Sequence, residues 1–585
     1  MTLPWQDPPV RFREVEVERH APARMRDGAL LYADIYRPVG EGPWPVLLLR
    51  HPYDKTQAEN ISYAHPSWYA RYGYMVVVQD LRGRWMSEGE WYPFRHEETD
   101  SCDSIAWAAG LPGSNGQVGM YGFSYAGATQ LLSAVHQPPE LKVLMPALTG
   151  SNYYDGWTYR GGALHHAFTQ SWATFLAQDT ARKQGDYALE GNLAGALGNA
   201  WANYWIPPQY FPFLTQEGLA PYYYDWLKHD TYDDYWKRWS IRGRYDKITL
   251  PALHIAGWYD VFLEGTLENF TSLQTGAGSE YARKNQKLVV GPWYHMPWHQ
   301  HVGGFDFSDA GRNCVDALQV LWLDRYLRGE RNQLDDEPPV TLFVLGEQKW
   351  RFEDAWPPQR AQAVRFFFHS GGRANSLNGD GWLDRQAPGE ELPDVFTYDP
   401  RLPVMSVGGH SCCVNTLTPM GAFDQRSQEY RNDVLIYSTD TLAEDLTVMG
   451  AVEVTLYAAS TAVDTDFTAK LVDVYPDGQA INVGEGILRA RFRESLEQPT
   501  PIEPGRVTEY KILVGSTAIV FKAGHRIRVE ISSSNFPTFD RNSNSGKPLA
   551  EAGPADWFVA TQTILHDHRY PSHIVLPIIP SRAGL

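Results

Sequence analysis

The sequence predicts three parts in one chain of 585 residues: an α/β domain with a parallel sheet, a helical cap inserted in it, and a C-terminal β-sandwich of jelly-roll type. Three observations carry this reading. Short apolar runs without alternation recur through the first 290 or so residues, with helical stretches between them. One long segment between two of those runs is crowded with aromatics and interrupted by prolines. Past Gly329 the pattern turns into strand after strand, with Pro, Gly, Asn and Asp at the turns.

Taken in order, Phe12 to Glu18 and Leu30 to Tyr36 alternate about the turn Met25-Arg26-Asp27-Gly28, which reads as a hairpin. Pro45 to Leu49, Met75 to Val78, Val118 to Tyr121 and Lys142 to Met145 are continuous apolar runs, and Tyr63 to Tyr72 and Asp100 to Ala109 have helical character. Strands covered on both faces need no alternation, and parallel strands need crossovers, so residues 1–148 form the front half of the α/β domain. Residues 149–245 form the cap, since long insertions between sheet strands become lids over the strand ends. Ala252 to Ala256 and Lys287 to Val290 resume the sheet, a helix from Asp309 to Leu327 closes it, and residues 246–337 complete the domain. The sandwich occupies residues 338–585, beginning with the strand Val340 to Leu345 and running through Val364 to Phe368, Ala451 to Tyr457, Phe467 to Val474 and Arg526 to Ser532.

Composition narrows the partners. With 51 basic and 69 acidic residues the net charge is −18, which excludes nucleic acid and an anionic membrane surface as expected partners. A homo-oligomer is compatible with the sequence. The chain starts Met1-Thr2-Leu3-Pro4-Trp5-Gln6-Asp7, neither basic nor apolar enough for a signal peptide, and has no apolar run near 18 residues, so the expected location is the cytoplasm. The four cysteines imply no disulfide framework, and Cys412 and Cys413, being adjacent, are poorly placed to bridge each other. The aromatic share of 13% fits a ligand-stacking surface and a packed core equally.

The chemistry-bearing stretch is Gln117 to Ala128, a strand, a corner at Ser124 and a helix. A serine on so sharp a turn is tolerated when the residues two before and two after are small, and here they are Gly122 and Ala126. Its hydroxyl needs a base, and the base needs an acid that holds its tautomer. In an α/β-hydrolase fold these follow later strands in the order serine, acid, histidine. Asp260, in Gly257-Trp258-Tyr259-Asp260, and His295, in Gly291-Pro292-Trp293-Tyr294-His295, satisfy that order. Glu264 competes with Asp260 for the acid role, and His295, His299 and His301 can also be read as metal ligands, although Pro297 breaks the helix that would present the first two together. The backbone N–H of Tyr125 supplies one oxyanion donor. A second is expected from the loop Arg50-His51-Pro52-Tyr53-Asp54-Lys55, where Tyr53 is either a phenolic donor or a packing residue.

Pro52-Tyr53-Asp54-Lys55, Gln79-Asp80-Leu81-Arg82-Gly83-Arg84 with Ser87-Glu88-Gly89, the Ser124 stretch and the loops ending in Asp260 and His295 together resemble the cocaine esterase group of serine hydrolases, related to X-prolyl dipeptidyl aminopeptidases and α-amino acid ester hydrolases. Asp464 to Leu471, Gly486 to Ala490 and Ser533 to Pro537 extend the resemblance through the C-terminal half. It implies an α/β-hydrolase domain with its cap and a C-terminal jelly roll, Ser124, Asp260 and His295 as the catalytic triad, and the Tyr53 hydroxyl with the Tyr125 N–H as the oxyanion hole. It implies a small-molecule ester or amide substrate and no cofactor or metal. A dipeptidyl peptidase would need carboxylates for a free ammonium, for which Asp155, Asp179, Glu190 and Asp225 in the cap are the candidates. A carbohydrate- or peptide-binding protein without activity is the reading from another class, and the ordered triad argues against it.

Overall fold

A ten-stranded mixed sheet positions everything else. The structure, a computed structural model, describes residues 3–60, 63–413 and 420–580. The chain enters through the antiparallel hairpin of β1 (Val15–Arg24) and β2 (Leu30–Pro38), then lays down β3 (Trp44–His51), β4 (Met75–Asp80), β5 (Ser114–Phe123) and β6 (Leu141–Ala147). Helices α1 (Pro66–Ala70), α2 (Glu97–Ala109) and α3 (Tyr125–Ala134) make the crossovers. β3 runs parallel to β4 and β5, and β5 to β6. β4 is buried at every residue, which is why such runs do not alternate. The helix expected over Tyr63 to Tyr72 is limited to α1, because Pro66 supplies its first turn and Gly73, at φ +89°, lies just past its end.

After β6 the chain leaves the sheet for the cap. It contains a short hairpin of β7 (Tyr159–Arg160) and β8 (Ala163–Leu164), then α4 (His166–Lys183), α5 (Tyr187–Gly198), α6 (Ala200–Tyr204), α7 (Pro221–Lys228) and α8 (Asp234–Lys237). Trp157, Trp172, Trp226 and Trp236 are all buried, and Trp172 stacks on Trp226 at 5.8 Å with the rings 4° from parallel. Burying a tryptophan removes enough apolar surface for roughly 4 to 6 kcal/mol of transfer free energy. Short helices such as α6 and α8 could not persist in water alone, so this aromatic core carries the cap.

The sheet resumes with β9 (Ala252–Tyr259), then α9 (Leu263–Gly276), α10 (Glu280–Lys284) and β10 (Gln286–Tyr294); β9 is parallel to both β6 and β10. A ribbon of β11 (His301–Val302) and β12 (Phe305–Asp306) leads to α11 (Val315–Arg328). That helix starts later than Asp309, where a separate 3-10 turn covers Asp309–Gly311.

Two expectations need correction. β13 (Val340–Val344) belongs to the first sheet, pairing in parallel with Leu288 to Val290 of β10, and β14 (Lys349–Glu353) follows antiparallel. An apolar run does not say which sheet receives it, and Leu345 at the end of β13 also bridges Ile519 of the second sheet. The strand expected to open the sandwich is therefore the ninth of the first sheet. The second correction concerns Cys412 and Cys413, which are bonded to each other. Their Cα atoms lie 3.8 Å apart, and Cys413 takes a positive φ of 75° at the turn between them.

The C-terminal strands form an eleven-stranded, mostly antiparallel sheet whose long members Leu446–Ser460 and Thr508–Phe521 pair with each other. Its core is continuous with that of the first sheet, since Trp258 and Phe343 join Phe368, Val454 and Ile512 in one cluster. Among the described residues no helix is long and apolar enough to cross a membrane.

Candidate active site

Ser124 sits at the corner between β5 and α3 with φ +61° and ψ −127°, a conformation a non-glycine residue adopts only when its surroundings over-determine it. A Cβ at Gly122 would lie 2.5 Å from the Ala126 Cβ and 2.8 Å from a Leu49 methyl, and one at Gly127 would lie 2.8 Å from the Thr149 Cβ. Strand and helix therefore approach as closely as backbone permits. The Ser124 N–H donates to the carbonyl of Ala147 at 3.0 Å, tying the corner to the end of β6. Gly122→Ala, which adds this clash at φ +140°, is expected to lower stability by roughly 2 kcal/mol or more, read as a fall in thermal unfolding temperature.

Parallel strands end on the same edge of a sheet, so the loops after β5, β9 and β10 converge. Asp260 follows β9 directly and is fully buried; His295 follows β10 and is 4% exposed. The His295 Nδ1 lies 2.7 Å from Asp260 Oδ1, and its Nε2 lies 3.0 Å from Ser124 Oγ. A carboxylate on Nδ1 fixes the proton there and leaves the Nε2 lone pair facing the serine hydroxyl. Phe262 meets the imidazole edge-on at 4.9 Å and Phe123 lies 5.7 Å away, so the ring is confined on its apolar sides.

The Tyr53 hydroxyl lies near enough to the Ser124 side chain to interact with it. The same phenol oxygen accepts the Trp172 indole N–H at 3.2 Å. Enclosure of the hydroxyl pushes its pKa up to about 12. The loop carrying it is fixed at several points. Tyr53 N–H donates to His51 Nδ1 at 3.1 Å, and burial lowers the His51 pKa to about 4, so this imidazole stays neutral and keeps the acceptor. Arg84 Nε and Trp85 Nε1 donate to the carbonyl of Pro52 at 3.3 and 3.2 Å. Lys55 gives both its N–H, at 2.7 Å, and its ammonium, at 2.9 Å, to the buried carboxylate of Asp80. Asp80 and Arg84 of the Asp80-to-Arg84 stretch thus hold the Tyr53 loop.

Tyr125 is the first residue of α3, where a backbone N–H has no intrahelical acceptor. Its side chain points into the core: the hydroxyl accepts from Phe94 N–H at 2.7 Å and donates to Glu97 at 3.1 Å, and the ring stacks on Phe94. Its backbone is the part available beside Ser124.

Other candidates go elsewhere. Glu264 accepts the Ser516 N–H and hydroxyl, joining α9 to the second sheet. His299 is exposed, and His301, also exposed, lies 3.5 Å from Asp306. Among the cap carboxylates, Asp179 takes the Trp85 N–H at 2.8 Å and faces Arg84, Glu190 pairs with Arg182, Asp225 accepts the Tyr92 hydroxyl and Asp155 accepts the Gly161 N–H. The residues that sequence reasoning missed are Trp157, Phe168, Trp172 and Phe262, which pack ring against ring, with Phe262 meeting His295. Phe262 stood two places after Asp260, and Trp157 and Trp172 stood in the aromatic cluster of the cap, but nothing local distinguished them from core.

Residues 27–297 match the family model described as X-Pro dipeptidyl-peptidase (S15 family), and residues 332–575 match the X-Pro dipeptidyl-peptidase C-terminal non-catalytic domain. The chain is 39% identical to a cocaine esterase of Rhodococcus sp. over 568 residues, covering 95% of this chain and 97% of that protein. The crystal structure of an aminopeptidase from a marine sediment archaeon, Thaumarchaeota archaeon, matches with a TM-score of 0.82 at 25% identity, over 98% of this chain and 99% of that one. An α-amino acid ester hydrolase matches with a TM-score of 0.78 at 26% identity, over 96% of each. Two domains in the same order, matched along nearly the whole length, establish that the chain belongs to the cocaine esterase family of serine hydrolases, allied to the S15 X-Pro dipeptidyl-peptidases and the α-amino acid ester hydrolases, and is a carboxylic ester hydrolase.

Proposed function

We propose that the chain hydrolyses esters of apolar or aromatic acids, with Ser124 as nucleophile, His295 as base and Asp260 as its orienting acid. The observation that carries this reading is His295 bridging the other two at 2.7 and 3.0 Å, with all three side chains buried. His295 takes the Ser124 proton as Oγ attacks the carbonyl carbon. The Tyr53 hydroxyl and Tyr125 N–H hold the oxyanion, His295 returns the proton to the leaving oxygen, and an acyl-enzyme remains. Water, activated by the same imidazole, releases the acid. Phe262 against His295, with Trp157 and Phe168 packed on it, makes the surroundings of the imidazole apolar, which favours an apolar acyl group, since a charged one would lose its hydration there.

Release of X-Pro dipeptides is the rival within the class. It needs carboxylates free to meet an ammonium, and Asp155, Asp179, Glu190 and Asp225 each already hold a partner. An aryl benzoate is expected to be turned over with kcat/KM well above that for an X-Pro anilide; the reverse preference would overturn the ester reading.

Tyr53→Phe removes one oxyanion donor and is expected to lower kcat by roughly 10²-fold, with smaller change in KM. Because the phenol titrates only near 12, its donor survives where a free tyrosine would be half ionised. The kcat/KM profile of the native enzyme should therefore stay level between pH 8 and about 10, and a fall centred near 10 that is absent in Tyr53→Phe would contradict this assignment.

A further inference from the structure

We propose that Trp172 of the cap is a positioning residue for the Tyr53 hydroxyl, its indole N–H aiming the phenol hydrogen at the oxyanion so that the donor is complete only when α4 is seated. This rests on the oxyanion reading of Tyr53. A phenol has one hydrogen and two acceptor lone pairs, and its O–H prefers the ring plane, pointing to one side or the other. The Trp172 Nε1 at 3.2 Å occupies one side of the oxygen and keeps the hydrogen from that side, and Ser124 is the other side chain that interacts with this hydroxyl. A donor on the oxygen also polarises the O–H bond and strengthens what it gives.

The indole is built to hold that direction. It lies parallel over Trp226, stacks on Phe168 at 5.8 Å and meets Trp157 edge-on at 6.1 Å. One turn further along α4, the Leu176 carbonyl accepts Arg84 Nη1 at 2.9 Å, and the same guanidinium reaches Pro52 in the Tyr53 loop. Asp179, a turn beyond, takes the Trp85 N–H. Helix and loop are thus latched at successive turns of α4.

The test is a double-mutant cycle on an aryl ester, using Trp172→Phe and, to keep the bicyclic shape, Trp172→3-benzothienylalanine, each in native and Tyr53→Phe backgrounds. Both are expected to lower kcat roughly 3- to 10-fold with KM within about twofold, the size of one lost hydrogen bond. In the Tyr53→Phe background the same changes should cost nothing further. A loss that persists undiminished there, or a benzothienyl variant with native kcat, overturns the proposal while leaving the oxyanion reading intact. Native kcat in Tyr53→Phe alone removes the oxyanion reading and the proposal with it.

Discussion

Ser124→Ala is expected to cut ester turnover by roughly 10⁵- to 10⁶-fold while leaving the fold unchanged. In the proposed mechanism the hydroxyl is the atom that attacks, and the group 3.0 Å away, His295 Nε2, would retain nothing to deprotonate at the corner. Stability should hold, because alanine differs from serine only in the lost oxygen and the positive φ at this position strains both alike. Aryl ester hydrolysis and thermal unfolding, measured on the same preparation, separate the two effects. Turnover within about tenfold of native would mean that another residue is the nucleophile.

Asp260→Asn should cost nearly as much, roughly 10⁴-fold in kcat, for a different reason. The substitution is nearly isosteric in a fully buried site, so packing is kept. An amide nitrogen turned toward His295 Nδ1 would donate to it, moving the ring proton to Nε2, and the imidazole would then face Ser124 with a hydrogen instead of a lone pair. A loss of only a few-fold would show that the tautomer is set elsewhere.

The legible part of this protein was what local pattern and chain order encode. Gly122, Ser124 and Ala126 announce a tight strand-to-helix corner whatever surrounds it, and Asp260 and His295 each follow a buried strand, so parallel topology alone brings their loops to one edge. Tyr53 was open on the residues and entered through resemblance. The structure shows how its loop is held: His51, Arg84, Trp85 and the Lys55–Asp80 pair fix it from positions up to about 30 residues away.

What escaped the sequence was long-range. Trp172 matters through where α4 comes to rest, which no periodicity within α4 reveals. β13 reads as a strand in any sheet, and only its parallel register with Leu288 to Val290 assigns it to the first. The link between Cys412 and Cys413 depends on a backbone turn that adjacency alone does not predict.

The central claim is that Ser124 is the residue that becomes covalently acylated. A fluorophosphonate probe added to the folded protein, followed by digestion and peptide mass mapping, tests it in one step. A single adduct on the peptide containing Ser124, absent in Ser124→Ala and formed slowly in Asp260→Asn, is the predicted result. An adduct on a different serine, with Ser124 unmodified, would contradict it.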